Sequence, residues 1–286
     1  MITLLKGGWL AAWDGSRHTL VTLVEGGEVA MQDNGILYAG ARFEGDVDTI
    51  IHRPEWFIMP GFINLHGHIG VEVMSSLVDL PAGVGLGPSE AFVKETPLFM
   101  PPTLTPEEQR LGAEFSLAQM LRTGSTTVVD AHGYGPVWWL GNPPSDEAAL
   151  VDIVGRVGCR AYLALAYRSA RSYLRPDGSR QFYWDESMGQ AGLREGLRFA
   201  LEHDGAHDGR VRCLLAPHHT MNCTPDLLAR TLETARKNDL RVTFHTAEYM
   251  PELERIREQY GETPVGLLAR FDLIGPDVIL GHCLYT

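Results

Sequence analysis

The amino-acid sequence predicts an α/β protein: a (β/α)8 barrel of the TIM type, incomplete at about six strands, preceded by part of a small N-terminal β-sandwich. Two observations predict the barrel. From residue 58 onward, short apolar and β-branched runs alternate with helical stretches, which is the rhythm of parallel βαβ units. In addition, His66, His68, His132, His218, His245 and His282 all fall at or just past the C-terminal ends of those runs. In a barrel such ends converge on the face where active sites are built, so this placement favours a barrel over an open sheet.

Residues 1–57 read as a separate domain from the barrel at 58–286. Within the first, residues 2–5, 18–24, 28–32 and 35–39 are β-prone, with Gly26-Gly27 and Asp33-Asn34-Gly35 as hairpin signals. Residues 57–63 are expected to form one apolar strand running into His66. Thr105 followed by Pro106, Glu107 and Glu108 is an N-cap with proline at the first helical position and acids in the first turn. It opens a helix to about Leu121, closed by Gly124, and residues 126–129 form the next strand, ending at Asp130. A helix near 147–157 precedes a strand at 158–166, and a helix near 192–203 precedes one at 211–216. Thr224-Pro225-Asp226 opens a helix to about Lys237, and residues 240–244 run into His245. One helical stretch over 251–271 leads to the strand 278–280 and His282. The Gly- and Pro-rich stretch 69–102, and 134–144 with Trp138-Trp139, are expected to be loops over the site face.

Composition narrows the function. A formal net charge of −12 argues against a nucleic-acid backbone as partner, because phosphate binding needs a basic face. It leaves a free nucleobase or nucleoside open as substrate. Cys159, Cys213, Cys223 and Cys283 form no Cys-x-x-Cys pair and read as reduced core residues. The N-terminus carries no signal-peptide pattern, and no apolar run reaches the ~18 residues of a membrane span, so a soluble, cytoplasmic protein without membrane contact is expected.

Four segments carry candidate chemistry. In His66-Gly67-His68, residues two apart on a strand share a side, so both imidazoles can reach one ion at ~2.0–2.1 Å; the competing reading is a surface pair. In His245-Thr246-Ala247-Glu248, a third imidazole completes a ligand face. Glu248 can then move protons for an activated water, a role that needs a raised pKa in a dry site. Glu248 equally suits a helix entry, where the dipole favours an acid. His282 ends a buried strand, where it either bonds the water or is a core histidine satisfied by a backbone carbonyl. His218 follows a strand and can orient substrate or stabilise an oxyanion, whereas its neighbour His219 is expected to point elsewhere and be structural.

Taken in order, Pro60-Gly-Phe-Ile-Asn-Leu-His66-Gly-His68, Leu121-Arg-Thr-Gly-Ser-Thr-Thr-Val-Val-Asp130, Leu215-Ala-Pro-His-His219, His245-Thr-Ala-Glu248 and Gly281-His-Cys283 resemble the amidohydrolase superfamily. The similar branch is that of cytosine, guanine and S-adenosylhomocysteine deaminases and triazine hydrolases, and the resemblance covers nearly the whole chain. It implies one divalent ion, Zn first and Fe second, held by His66, His68 and His245. It makes Glu248 the proton shuttle, His282 the group that positions and deprotonates the water, and His218 a substrate contact. The implied activity is deamination of a small nitrogen-containing heterocycle. Dechlorination, N-dealkylation and cyclic-amide hydrolysis are alternatives at the same site. Binuclear members bridge their metals with a carboxylated lysine after the fourth strand, but Lys6, Lys94 and Lys237 all lie away from residues 211–216, so one ion is expected.

The sequence departs from the resemblance in two places. The fourth ligand of that family is an Asp after the eighth strand, which is expected beyond residue 286. Asp130 reads as a supporting residue and not as its substitute. A six-stranded barrel exposes two sheet edges, so this chain by itself is expected to be poorly soluble, to self-associate, and to be inactive or a binding remnant. The stretch 71–102, with Asp79, Glu95 and Phe99-Met-Pro-Pro102, lacks the aromatic-rich pattern of nucleoside deaminases, so substrate identity is not legible there.

Overall fold

The computed structural model describes residues 1–14, 19–69, 105–130, 147–174 and 180–286. His132, Asp79, Lys94, Glu95 and Trp138-Trp139 lie outside the described residues, as do nearly all of the two expected site-face loops. The chain divides into two compact units, Met1–Phe62 and Ile63–Thr286.

The first unit is built on one five-stranded sheet: β1 (Ile2–Asp14), β2 (Thr19–Glu25), β3 (Glu28–Gln32), β4 (Gly35–Gly40) and β5 (Thr49–Ile58). β1 is much longer than the expected strand at 2–5. Gly7-Gly8 interrupts the apolar pattern in the sequence, but in the sheet it marks only a register shift against β5 between Gly7 and Trp9. The start of β1 pairs antiparallel with β3 and its end with β2, while β5 runs parallel to it. Leu10, Ala12 and Val29 form the small core.

The second unit opens with β6 (Phe62–Gly67), α1 (Pro106–Arg122), β7 (Ser125–Asp130), α2 (Glu147–Val157), β8 (Arg160–Leu163) and β9 (Ala166–Tyr167). A hairpin of β10 (Ala170–Leu174) and β11 (Arg180–Trp184) follows, then α3 (Glu186–His203) and β12 (Val211–Pro217). It continues through α4 (Pro225–Lys237), β13 (Arg241–Thr246), α5 (Met250–Tyr260), α6 (Pro264–Arg270) and β14 (Val278–His282). The sheet order is β6-β7-β8-β12-β13-β14, which is chain order without reversal. A doubly wound sheet would reverse at a switch point, whereas an unreversed parallel order curls toward a barrel. The curl is visible at the strand ends: His66 on β6 and His282 on β14 occupy opposite ends of the sheet order, yet their ring centroids are 4.6 Å apart. The fold is therefore an incomplete TIM-type barrel.

Residues along β12 alternate between two cores. Cys213 and Leu215 join the large cluster between sheet and helices, while Leu214 and Ala216 join a small inner cluster with Val129 and Ala164. Burial on both faces explains why β12 reads as a continuous apolar run. β8 and β9 keep one register against β12, with Val211 opposite Ala161 and Ala216 opposite Ala166, so together they make up the strand expected at 158–166.

Some boundaries differ from expectation. Residues 57–63 are not one strand: β5 ends at Ile58 and β6 starts at Phe62, with Pro60, which lacks a ladder N–H, between them. The stretch 251–271 is two helices. Gly261 ends α5 in the left-handed conformation at φ 72°, and Thr263 caps α6 with Pro264 at its start. α3 begins at Glu186, earlier than expected, because the Asp185 side chain accepts the Met188 N–H at 3.2 Å. The hairpin β10–β11 has no counterpart in the sequence reading. Among the described residues, no helix is long and apolar enough to cross a membrane.

Candidate metal centre

β6 delivers His66 and His68, two residues apart, to the same side. Their rings meet edge to face with centroids 4.8 Å apart. β13 delivers His245, 4.7 Å from His66 and 5.4 Å from His68, and β14 delivers His282, 5.2 Å from His245. Of the three residues expected as ligands, His66 and His245 lie in the tightest nitrogen group. Its third member is His282, all ligand atoms lying within 4.8 Å of one another, while the His68 ring stacks parallel to that of His245. Asp130, fully buried at the end of β7, accepts the Ile69 N–H at 3.1 Å and so ties down the chain just after His68.

The donor set fits a cation. Both ring nitrogens of His66 are buried with no hydrogen-bond partner among the described residues, a state that costs about 1–3 kcal/mol per group unless something meets them. Burial, reinforced by the neighbouring His68 and His282 rings, lowers the His66 pKa to about 4; burial and His282 do the same for His68. Both rings are therefore neutral near pH 7, with lone pairs available. His245 donates from Nδ1 to the His218 carbonyl at 2.8 Å, which leaves the lone pair on Nε2, the arrangement that orients imidazole ligands in metal sites.

The turns that follow these strands are strained. Ala247, His282 and Cys283 adopt left-handed φ of 52°, 69° and 53°. Non-glycine residues pay roughly 1–2 kcal/mol each for this conformation. The turns are laced together: Cys283 N–H donates to the Thr246 carbonyl at 3.0 Å, and Leu284 N–H to the Ala247 carbonyl at 2.9 Å.

Glu248 follows directly. Its Oε1 lies 3.8 Å from His282 Nε2 and its Oε2 lies 3.4 Å from His219 Nε2. The expectation of a raised pKa is reversed. Burial does push the carboxyl up, but the His219 contact and the His282 and His66 rings outweigh it and hold the group below the usual value. His218 accepts from Asn222 Nδ2 at Nδ1, 2.9 Å away, with its ring 5.3 Å from that of His245.

The sequence reading missed two residues. His219 does not point away: it is buried, its ring lies parallel to His245, and it touches Glu248. Glu252 is also buried, beside both. Glu248 lies before the helix cap Tyr249, so its four-residue separation from Glu252 is not a helical spacing, and no local pattern in the sequence pointed to the pair.

A curled parallel sheet with imidazoles gathered at its C-terminal ends defines a barrel protein with a candidate metal centre. The chain belongs to the amidohydrolase family, which it matches over residues 57–286. It is 28% identical over 268 residues to the 5'-deoxyadenosine deaminase of Methanosarcina barkeri, covering 92% of this chain and 54% of that protein. It is 25% identical over 269 residues to the 5-methylthioadenosine/S-adenosylhomocysteine deaminase of Halothermothrix orenii, with the same coverage of 92% and 54%. Among solved structures, the zinc complex of atrazine chlorohydrolase from Arthrobacter aurescens matches with a TM-score of 0.74 at 18% identity, over 99% of this chain and 61% of that one. That likeness bears on the fold. The chain spans about half the length of the curated relatives it matches.

Proposed function

We propose that the chain carries the water-activating part of a metal-dependent aminohydrolase, which removes an amino group from a nitrogen-containing heterocycle. The observation that carries this reading is Glu248, set between His282 and His219 beside the cluster of imidazoles. His66, His68 and His245 would hold one divalent ion, zinc first and iron second, with His282 facing the same point. When bound, such an ion lowers the pKa of a water toward ~7.

Glu248, held in its basic form, is placed to take a proton from the attacking water and pass it to a ring nitrogen. The water oxygen bonds to the ring carbon bearing the amino group. The remaining proton of that oxygen then passes by way of Glu248 to the amino nitrogen, the carbon–nitrogen bond breaks, ammonia leaves, and the carbon keeps the oxygen as a carbonyl. His282 orients the water. His218, whose Nδ1 accepts from Asn222, keeps its proton on Nε2 as a donor for the substrate ring. The two curated relatives are named for adenine nucleosides, which makes that class the first to assay.

The test measures ammonia, chloride and ring-opened product from the metal-loaded full-length enzyme given 5'-deoxyadenosine and chlorinated or cyclic-amide heterocycles. Ammonia release with about one ion per chain is expected. Glu248→Gln should keep the ion and lose roughly 10²–10⁴-fold in turnover. Unchanged turnover in that variant, or no bound ion in the wild type, contradicts the reading.

A further inference from the structure

Glu252 lies on the first turn of α5 and is wholly buried, at 0% exposure. A carboxyl group so placed destabilises the fold unless both oxygens are met. Both are. Oε1 accepts the Thr220 hydroxyl, and Oε2 accepts the backbone N–H of Glu248 at 2.9 Å. His219 stands against the same group, its Nε2 3.6 Å from Glu252 Oε2 and 3.4 Å from Glu248 Oε2. The Met221 N–H donates to His219 Nδ1 at 3.1 Å, which puts the ring proton on Nε2, between the two carboxyl groups. Thr220 also ties the assembly to β13, donating its N–H to the His245 carbonyl at 3.1 Å. The residue these contacts hold needs holding: Ala247, just before Glu248, is left-handed and strained.

We propose that Glu252 is the positioning residue for Glu248, fixing its backbone through the amide hydrogen bond and sharing His219 with its carboxyl group. Glu248 is thereby tied down at its amide, with His219 Nε2 standing 3.4 Å from its carboxyl group. The inference rests on Glu248 being the proton carrier. A role confined to capping α5 would leave the reaction rate unmoved once the protein is folded.

The test compares Glu252→Gln with Glu252→Asp in the metal-loaded full chain. Gln keeps the reach: its carbonyl accepts the Glu248 N–H, and its amide donates to Thr220 Oγ1, whose own proton turns to Thr246 Oγ1 at 3.2 Å. Asp keeps the acid but is shorter by one carbon–carbon bond, about 1.5 Å, and cannot reach the amide. Hydrogen-exchange protection of the Glu248 amide should persist in Gln and fall at least ~10-fold in Asp. The kcat should stay within about threefold in Gln and fall ~10–100-fold in Asp, with KM and metal stoichiometry unchanged in both. The reverse ordering, or wild-type protection and kcat in Asp, overturns the proposal. So does loss of metal from Asp in step with kcat, because Glu252 would then be supporting the ligands. If Asp does not fold, Thr220→Val decides by the same two readouts: both should fall, and unchanged values overturn the proposal. The reading of Glu248 fails separately, through a Glu248→Gln variant with wild-type turnover, which leaves the amide-protection result standing.

Discussion

Gly281→Ala should separate metal affinity from stability. A Cβ at Gly281 would lie 2.6 Å from Cε1 and 2.7 Å from Nδ1 of His66, whereas ordinary contact begins at 3.4 Å. The imidazole must therefore retreat by about 0.8 Å, several times the ~0.2 Å tolerance of a metal–ligand distance. It has little room, because the rings of His68, His245 and His282 already stand 4.6–4.8 Å from it. Metal affinity should fall roughly 10–100-fold, about 1.4–2.8 kcal/mol. Gly281 is not among the glycines with positive φ, so alanine suits its backbone. The metal-free variant should then melt within a few degrees of wild type, aided by lower entropy of the unfolded chain. Affinity is read by titration against a competing chelator, and stability by thermal unfolding of the stripped protein. Wild-type affinity in a folded Gly281→Ala protein refutes the assignment of His66 as a ligand held against β14.

Further expectations follow from the same structure. In metal-free protein, His66 and His68 carry pKa values of about 4 against 6.5 for a free imidazole. Between those values the unfolded chain binds protons that the folded one refuses, so their contribution is full above about pH 6.5 and is lost as pH falls toward 4. The decline should amount to at most about 3 kcal/mol for each ring, reduced by solvent screening, and should appear in chemical denaturation at stepped pH; a flat profile from pH 7 to 4.5 counts against the buried, neutral pair. Saturating zinc should raise the melting temperature, and His245→Ala should abolish that shift; a zinc-induced shift that survives the substitution places the ion elsewhere. Thr105→Ala removes the side-chain half of a capping box, in which Thr105 Oγ1 accepts the Glu108 N–H at 3.2 Å, and leaves the backbone N–H of residue 105 to donate to Glu108 as it does at 2.7 Å. It should cost about 1 kcal/mol without changing metal affinity, and a changed affinity would mean that α1 is coupled to the site.

Local chemistry was legible along the chain. The Thr105-Pro106 and Thr224-Pro225 helix starts fall where the capping residues put them, because a cap needs only neighbouring residues. The strand ends at Asp130, His245 and His282 were legible because β-branched and apolar runs stop there and polar chemistry begins, most sharply on β13, which is buried on both faces. His66, His68, His245, Glu248 and His282 could be named from spacing and resemblance. What the sequence could not decide was who touches whom. The contact between Gly281 and His66 spans the whole curled sheet and leaves no trace in local pattern. Neither does the placement of His219 between two glutamates, which reverses both its expected direction and the expected sign of the Glu248 shift. Helix caps and strand periods are set by residues a few positions apart. Proton affinity and ligand geometry depend on groups brought within about 4 Å by closure of the sheet, and only the tertiary structure sets those distances.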